Sequence, residues 1–223
     1  MAESNGPEGA NEQPDTDAGF RHRSAVVPGD AGTQPQPGRI VPGDGPDPEH
    51  PHAFHLARSE AMVFDGGRLQ GGHGENWPIL VDQQAAVYLV KLEPGGIREP
   101  HWHPSAWEVN YVISGSVRWV FVGPGQTQDA FDAGAGDVIF APQGHFHYFE
   151  NTSDTEDLNV LIVFNSSATE PDDDIGIVHA LSSLPRDVLA SVFGADPHVF
   201  DAVPKTLRRV VISRRGDRAP RQG

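Results

Sequence analysis

Short runs of apolar residues, separated by turn signals, occupy the middle of the chain. The runs cover residues 85–92, 108–113, 117–122, 137–141, 147–150 and 158–164. Glycine and proline interrupt them, as in Pro94-Gly95-Gly96 and Pro142-Gln143-Gly144. Strands spaced about ten residues apart are typical of a sandwich or barrel rather than of alternating βα units. The pattern therefore predicts an all-β domain.

The two ends of the chain have a different texture. Residues 1–52 are rich in Gly, Pro, Asn, Asp and Gln, which predicts a disordered arm. Residues 175–184 and 185–193 show helical spacing, with Pro185 suited to a first turn and Gly194 to a C-terminal cap. The predicted organisation is an N-terminal arm (1–52), a barrel (53–174), a short helical appendage (175–204) and a basic tail (205–223).

Composition and charge exclude several classes of protein. The net charge of −15 disfavours nucleic-acid binding, whose footprint is a basic face. The absence of cysteine excludes disulfides, a thiolate nucleophile and Cys-ligated metals. No apolar run approaches the roughly 18 residues of a membrane span, and no secretory signal is visible at the start, so we expect a cytoplasmic protein. The tail arginines are expected to be solvated or to contact an acidic partner, such as a neighbouring subunit; they are Arg208, Arg209, Arg214, Arg215, Arg218 and Arg221.

Candidate chemistry is concentrated in histidines. His101 and His103 are two residues apart, so on a strand both imidazoles point to the same face. Pro104-Ser105 can turn the chain so that Glu108 returns toward them, and His147 supplies a third imidazole. Three neutral imidazoles and one carboxylate suit a divalent cation. With eleven histidines in the chain, a chance pair is the alternative.

Two spaced motifs contain these residues. In the first, Gly95 is followed after five residues by His101, then after one by His103, after four by Glu108 and after six by Gly115. In the second, Gly136 is followed after five residues by Pro142, then after one by Gly144, after two by His147 and after three by Asn151. Both resemble, without a gap, the paired motifs of the cupin superfamily. That resemblance implies a jelly-roll barrel (a double-stranded β-helix), followed here by the short helical appendage.

Within cupins, the chain is most similar to the oxalate decarboxylase and germin-like group, over about residues 60–204. The residues that carry this likeness are 98–104, 111–115, 136–138, 142–144 with His147, 163–165, Leu184-Pro185 and Phe193-Gly194. The likeness covers one barrel, which implies a single-cupin member that pairs barrels as a homodimer or higher homo-oligomer.

The resemblance implies that His101, His103, Glu108 and His147 ligate manganese, with iron(II) as the alternative. Four protein ligands would complete a tetrahedral zinc and leave no position for substrate. An octahedral Mn²⁺ or Fe²⁺ keeps two positions for an anion, water or dioxygen, the latter as a possible co-substrate.

The resemblance also implies that Arg98 holds the far carboxylate of bound oxalate, as a guanidinium fork suits a planar carboxylate. Strand alternation, however, places Arg98 and His101 on opposite faces, because their separation is odd. A bulge or twist near Glu99-Pro100 is therefore required. The alternative is an exterior arginine paired with Glu99.

In the family, a glutamate on a lid between the last strand and the helices protonates the product. The equivalent segment here is 166–174, in which Glu170 or Asp172 is the candidate acid and Pro171 takes the acid's place in an ungapped alignment. A solvated loop that caps the next helix is the alternative. His145 is expected to support the site or line the edge of the pocket rather than act as a ligand.

The sequence thus predicts an oxalate decarboxylase-like lyase that acts on oxalate or a related small carboxylic acid. Two alternatives stay open. One is a cupin oxidase, dioxygenase or isomerase acting on a secondary metabolite, and the other is a non-catalytic cupin that binds a small acid.

Overall fold

Two antiparallel β-sheets enclose an apolar interior in the computed structural model, which describes residues 38–169, 172–205 and 210–216. The strands in chain order are β1 (Arg39–Val41), β2 (Ala61–Phe64), β3 (Gly67–Gly72), β4 (Ala86–Leu92), β5 (Gly96–Trp102), β6 (Glu108–Ser114), β7 (Ser116–Val122), β8 (Gln128–Gly134), β9 (Val138–Ala141), β10 (Phe146–Asn151), β11 (Leu158–Phe164), β12 (Ile175–Gly176) and β13 (Ile212–Arg214).

One sheet has the strand order β1-β2-β3-β4-β11-β6-β9, and the other has the order β12-β5-β10-β7-β8, with β13 also paired to β5. Neighbours that are distant in sequence, such as β4 and β11, are paired along their whole length. This topology confirms the predicted all-β barrel. It also brings β5, β6 and β10, which carry the two motifs, around one interior.

The interior is filled by alternate residues of the strands. Along β4 the buried residues are every second one, from Ala86 to Leu92, because successive strand side chains point to opposite faces. Trp119 of β7 and Phe149 of β10 are fully buried with ring centroids 4.4 Å apart, and they anchor the second sheet. Large aromatic groups of this kind bury the most apolar area per residue.

Part of the segment predicted as a disordered arm is ordered. Residues 38–52 lie within the described region, and β1 pairs with β2 from Arg39 opposite Val63 to Val41 opposite Ala61. The apolar pair Ile40-Val41, although followed by Pro-Gly, is long enough to add an edge strand. Residues 1–37 lie outside the described residues.

The predicted basic tail also contains a strand. In β13, Ile212 pairs with Arg98 of β5, and Val210, Val211 and Ile212 are buried. Arg214 and Arg215 form ion pairs with Glu93 and Glu150. The arginines of this segment predict a solvated tail. The apolar run Val210-Val211-Ile212 is instead buried, and its burial holds the segment against the barrel. Residues 206–209 and 217–223, with Arg208, Arg209, Arg218 and Arg221, lie outside the described residues.

The appendage is helical after its first two residues. β12 occupies residues 175–176, and the helices that follow are α1 (Ile177–Ser182), α2 (Arg186–Phe193) and a 3₁₀ helix (Pro197–Ala202). Gly194 ends α2 in the left-handed conformation with φ 61°, as its predicted capping role requires. Among the described residues, no helix is both long and apolar enough to span a membrane.

Candidate metal centre

Three strands bring the predicted ligands together. His101 lies in β5, His103 follows one residue after the end of that strand, and Glu108 begins β6. His147 in β10 pairs directly with His101 across the sheet, so the two side chains share a face. The ligand atoms of all four residues lie within 4.8 Å of one another, and all four side chains are buried.

Each imidazole is oriented by a backbone carbonyl. Nδ1 of His101 donates to the carbonyl oxygen of Glu99 at 2.7 Å, Nδ1 of His103 to that of Asp173 at 2.9 Å, and Nδ1 of His147 to that of His145 at 2.8 Å. A carbonyl oxygen can only accept, so each Nδ1 carries the proton and each Nε2 presents a lone pair. Support of this kind is what orients histidines that bind metals.

The lone pairs converge on a carboxylate. Nε2 of His147 lies 2.8 Å from Oε1 of Glu108, and Nε2 of His103 lies 3.6 Å from Oε2 of the same residue. Lone pairs that face one another in a buried site repel, unless a cation or a proton lies among them. A set of three imidazole nitrogens and one carboxylate therefore fits a divalent metal ion.

Electrostatics keep two of the ligands in their metal-binding forms. Burial lowers the pKa of His101 well below 6.5, and the nearby charge of Arg98 lowers it further. Burial alone would raise the pKa of Glu108, but its electrostatic interactions with the side chains of His147 and His103 outweigh burial and lower that pKa to about 2. His101 is thus neutral and Glu108 ionised over the ordinary pH range.

Arg98 lies on the same face of β5 as the ligands, because the strand contains a bulge. His147 pairs with His101 and Phe149 with Arg98, so β5 has one more residue than β10 between the paired positions. The bulge at Glu99-Pro100 that the sequence required is present. Arg98 is fully buried, rather than being an exterior residue.

The segment after β11 crosses β5 beside the site. β12 places Ile175 opposite Trp102 and Gly176 opposite His101. A Cβ on Gly176 would lie 2.5 Å from the Glu99 carboxyl carbon, so a larger residue here would require the Glu99 side chain to move. The carbonyl oxygen of Asp173, as described above, orients His103.

Asp174, which the sequence did not single out, forms a buried ion pair with Arg98; the two side chains are 0% and 1% exposed. Nη1 of Arg98 also lies 3.7 Å from Oε1 of Glu99. Sequence reasoning treated Asp172, Asp173 and Asp174 as one acidic loop. The pairing of β12 with β5 decides which of the three acids points inward. The two residues of β12, Ile175 and Gly176, do not indicate this pairing in the sequence.

Of the two predicted lid acids, only Asp172 lies within the described residues. Asp172 is exposed, and its carboxylate accepts a hydrogen bond from Thr169 Oγ1 at 2.6 Å. Glu170 lies outside the described residues. His145 lines a cavity of about 470 Å³ beside β8 and β9, and its backbone carbonyl accepts the hydrogen bond from Nδ1 of His147.

The family model and the relatives that match this chain agree with one another. The sequence model of the family described as Cupin matches residues 55–200. The chain is 32% identical over 163 residues to a probable oxalate decarboxylase of Arthroderma benhamiae, covering 72% of this chain and 39% of that protein. It is 31% identical over 173 residues to the oxalate decarboxylase OxdC of Bacillus subtilis (77% and 43%).

A germin-like protein of Arabidopsis thaliana, subfamily T member 3, is 33% identical over 115 residues, which is 50% of this chain and 49% of that protein. Among solved structures, one from a study of the Mn(II) centres of Bacillus subtilis oxalate decarboxylase superposes on this chain with a TM-score of 0.65. The two are 29% identical, and the match covers 75% of this chain and 44% of that one. The chain thus spans about two fifths of the length of the oxalate decarboxylases that it matches.

Proposed function

The chain belongs to the cupin family, and on that premise we propose that it is a metal-dependent decarboxylase of oxalate or a related small carboxylic acid. The observation that carries the proposal is the buried cluster of three imidazoles and one carboxylate beside Arg98, on one face of the barrel. The oxalate decarboxylases among its relatives support the reaction class.

His101, His103, Glu108 and His147 would hold the metal. Manganese is the proposed ion, supported by the neighbouring structure named for its Mn(II) centres, and iron(II) is the alternative that the same ligands accept. When bound, the ion would supply Lewis acidity and, in the presence of dioxygen, one-electron chemistry. One carboxylate among the ligands leaves a divalent site with net positive charge, which attracts a carboxylate substrate.

The remaining steps belong to side chains of this chain. Arg98 binds the far carboxylate of the substrate, for which it must exchange its contact with Asp174. As the C–C bond breaks, one carbon leaves as CO₂. The other carbon keeps the bonding electron pair and takes a proton from the lid, from Glu170 or Asp172, to become formate. The overall reaction is redox-neutral.

A turnover assay tests this proposal. Manganese-loaded protein supplied with oxalate at mildly acidic pH should release CO₂ and formate in equal amounts. Full metal occupancy without turnover of oxalate or of related small acids would contradict it. Oxygen uptake with peroxide formation, in place of formate, would instead indicate an oxidase or dioxygenase acting through the same cluster. Substrate conversion without either signature would indicate an isomerase.

The exposed position of Asp172 favours a second candidate, a non-catalytic cupin that binds a small acid. In that case His101→Ala would abolish metal and acid binding together, and no reaction would be found. We also propose that the chain forms a homodimer or higher homo-oligomer. Its cytoplasmic location stays a prediction.

A further inference from the structure

The guanidinium of Arg98 has a fixed carboxylate partner inside the barrel. Arg98 and Asp174 are both buried, and Nη2 of Arg98 donates to Oδ2 of Asp174. A second carboxylate, that of Glu99, lies 3.7 Å from Nη1. Two acids therefore face one arginine, and all three side chains are buried.

The backbone holds Asp174 in this position. β12 pairs with β5 immediately after it, and Glu99 Oε2 accepts a hydrogen bond from the backbone N–H of Val178 at 3.2 Å. Just before it, Asp173 accepts hydrogen bonds from Ser105 N at 3.1 Å and Ser105 Oγ at 2.6 Å. Contacts on both sides thus fix the carboxylate of Asp174 against Arg98.

This arrangement changes the charge that a ligand meets. A divalent ion with Glu108 presents one net positive charge. Arg98 adds another, but Asp174 and Glu99 offset it. A dicarboxylate that reached from the metal to Arg98 would place its second carboxylate beside that of Asp174, and like charges at close range in a buried site repel strongly.

We infer that Asp174 makes this site selective for a small carboxylic acid with a single negative charge, whose far end is neutral and donates a hydrogen bond. An amide or hydroxyl group at that end would donate to Asp174 while Arg98 keeps its partner. The inference rests on the proposed function, since it assigns the substrate class of the same site. A dianion such as oxalate must first separate Asp174 from Arg98.

Oxalate and oxamate provide the test, because they have the same shape and oxamate replaces one carboxylate with an amide. Their dissociation constants are measured by calorimetry on manganese-loaded protein near neutral pH, where oxalate is a dianion. Asp174→Asn should improve the affinity for oxalate relative to oxamate by about tenfold or more, because it removes the like charge. Asp132→Asn is the matched control, since it also removes an acid from an Arg–Asp pair, at an exposed position with Arg118.

The outcomes are distinct. An oxalate-to-oxamate affinity ratio that is unchanged in Asp174→Asn, or changed equally in Asp132→Asn, overturns the inference. If Asp174→Asn does not fold, the affinities of the original chain for oxamate and oxalate decide whether the inference holds. Tighter binding of oxamate than of oxalate supports the role of Asp174, and tighter binding of oxalate overturns it. Failure of the proposed decarboxylation is recognised separately, because it shows as absent CO₂ release whatever the two affinities are.

Discussion

Arg98 and His101 lie three positions apart on β5, yet both side chains are buried on the face that lines the barrel. Phe149 and His147, their partners on β10, are only two positions apart. The extra residue on β5 rotates the strand between them, so the arginine and the histidine belong to one site. The positive charge beside the ligand cluster therefore depends on a local irregularity of the backbone.

Replacing Arg98 should weaken the binding of a small acid without removing the metal. Arg98→Gln removes a charged hydrogen-bond donor, a loss of about 10- to 100-fold in acid affinity. Metal content should stay unchanged, because Arg98 is not among the ligand atoms. Calorimetry with oxalate and elemental analysis of the purified protein measure the two quantities.

Arg98→Lys and Arg118→Gln are the comparison variants for Arg98→Gln. Lysine keeps the charge but not the planar fork, so its affinity should lie between those of the original chain and Arg98→Gln. Arg118 is paired with Asp132 away from the site, so its replacement should have no effect on acid binding. Equal losses in Arg98→Gln and Arg118→Gln would contradict a role for Arg98 in the site.

Metal removal should destabilise the protein through the four ligands. A ligand that binds only the folded state stabilises it by about 2.7 kcal/mol at a hundred times its dissociation constant, so a chelator should lower the melting temperature. His147→Ala should melt at a lower temperature and lose its response to the chelator. Thermal unfolding with and without the chelator provides the measurement.

His145→Ala is the matched control, because His145 is two residues away and contributes only its backbone carbonyl to His147. That variant should keep the response to the chelator. A melting temperature that is insensitive to metal in the original chain would mean that the cluster does not bind the ion.

The lid acids can be tested by separating binding from protonation. If Glu170 or Asp172 donates the proton, its amide variant should lose about 100-fold or more in formate production, the usual contribution of a general acid, while acid binding is retained. Glu170→Gln and Asp172→Asn are assayed for formate and for oxalate affinity. Asp154→Asn serves as an exposed control outside this segment. Unchanged formate production in both lid variants would exclude both acids as the proton donor.

The barrel was predictable from local turn signals, and the ligand cluster from two spaced motifs that resemble those of cupins. Residue spacing places His101 and His103 on one face, and turn residues separate the strands. β8, by contrast, has the sequence Gln-Asp-Ala-Phe-Asp-Ala-Gly and few apolar residues, so no pattern identified it. It is held by full-length pairing with β7, which is a contact between strands rather than a property of the segment.

The partner of Arg98 could not be predicted for the same reason. Asp172, Asp173 and Asp174 are consecutive acids, and only the register of β12 against β5 turns the third toward Arg98. Likewise, β13 follows residues whose charge predicts a solvated tail, and the strand is held by pairing with β5. Register between strands distant in sequence is fixed by the packed interior, so one segment read alone does not contain it.

Self-association should depend on the outer face of β6, β9 and β11. Neighbouring exposed apolar side chains cover this face: Tyr111, Ile113, Val138, Phe140 and Val163. Contiguous apolar patches mark interaction sites, and a second copy is the proposed occupant, since the oxalate decarboxylases that match are more than twice as long as the matched part. Phe140→Lys should lower the mass measured by sedimentation to that of one chain. Val192→Lys, at an exposed apolar position on α2, should leave the mass unchanged, and a monomeric original chain would contradict the proposal.

Acid should destabilise the metal-free protein through His101. In the unfolded chain this histidine takes up a proton near its ordinary pKa of 6.5, whereas burial keeps it neutral in the folded protein to a much lower pH. Between those two pKa values the unfolded state binds more protons, so the free energy of unfolding falls as the pH falls below 6.5. The slope should be about 1.4 kcal/mol per pH unit for one such group.

Burial lowers the pKa of His73 too, which adds to the slope. Glu108 contributes a further loss between its ordinary pKa of 4.5 and its folded value of about 2.

Urea unfolding of the metal-free protein between about pH 7.5 and pH 5 measures this dependence. His101→Asn should flatten the slope, because asparagine does not titrate, whereas His198→Asn should not, since that side chain is 88% exposed. Stability that is constant or rises as the pH falls over this range would show that His101 takes up its proton as readily in the folded protein as in the unfolded chain. The histidine would then not be held neutral for the metal by its burial.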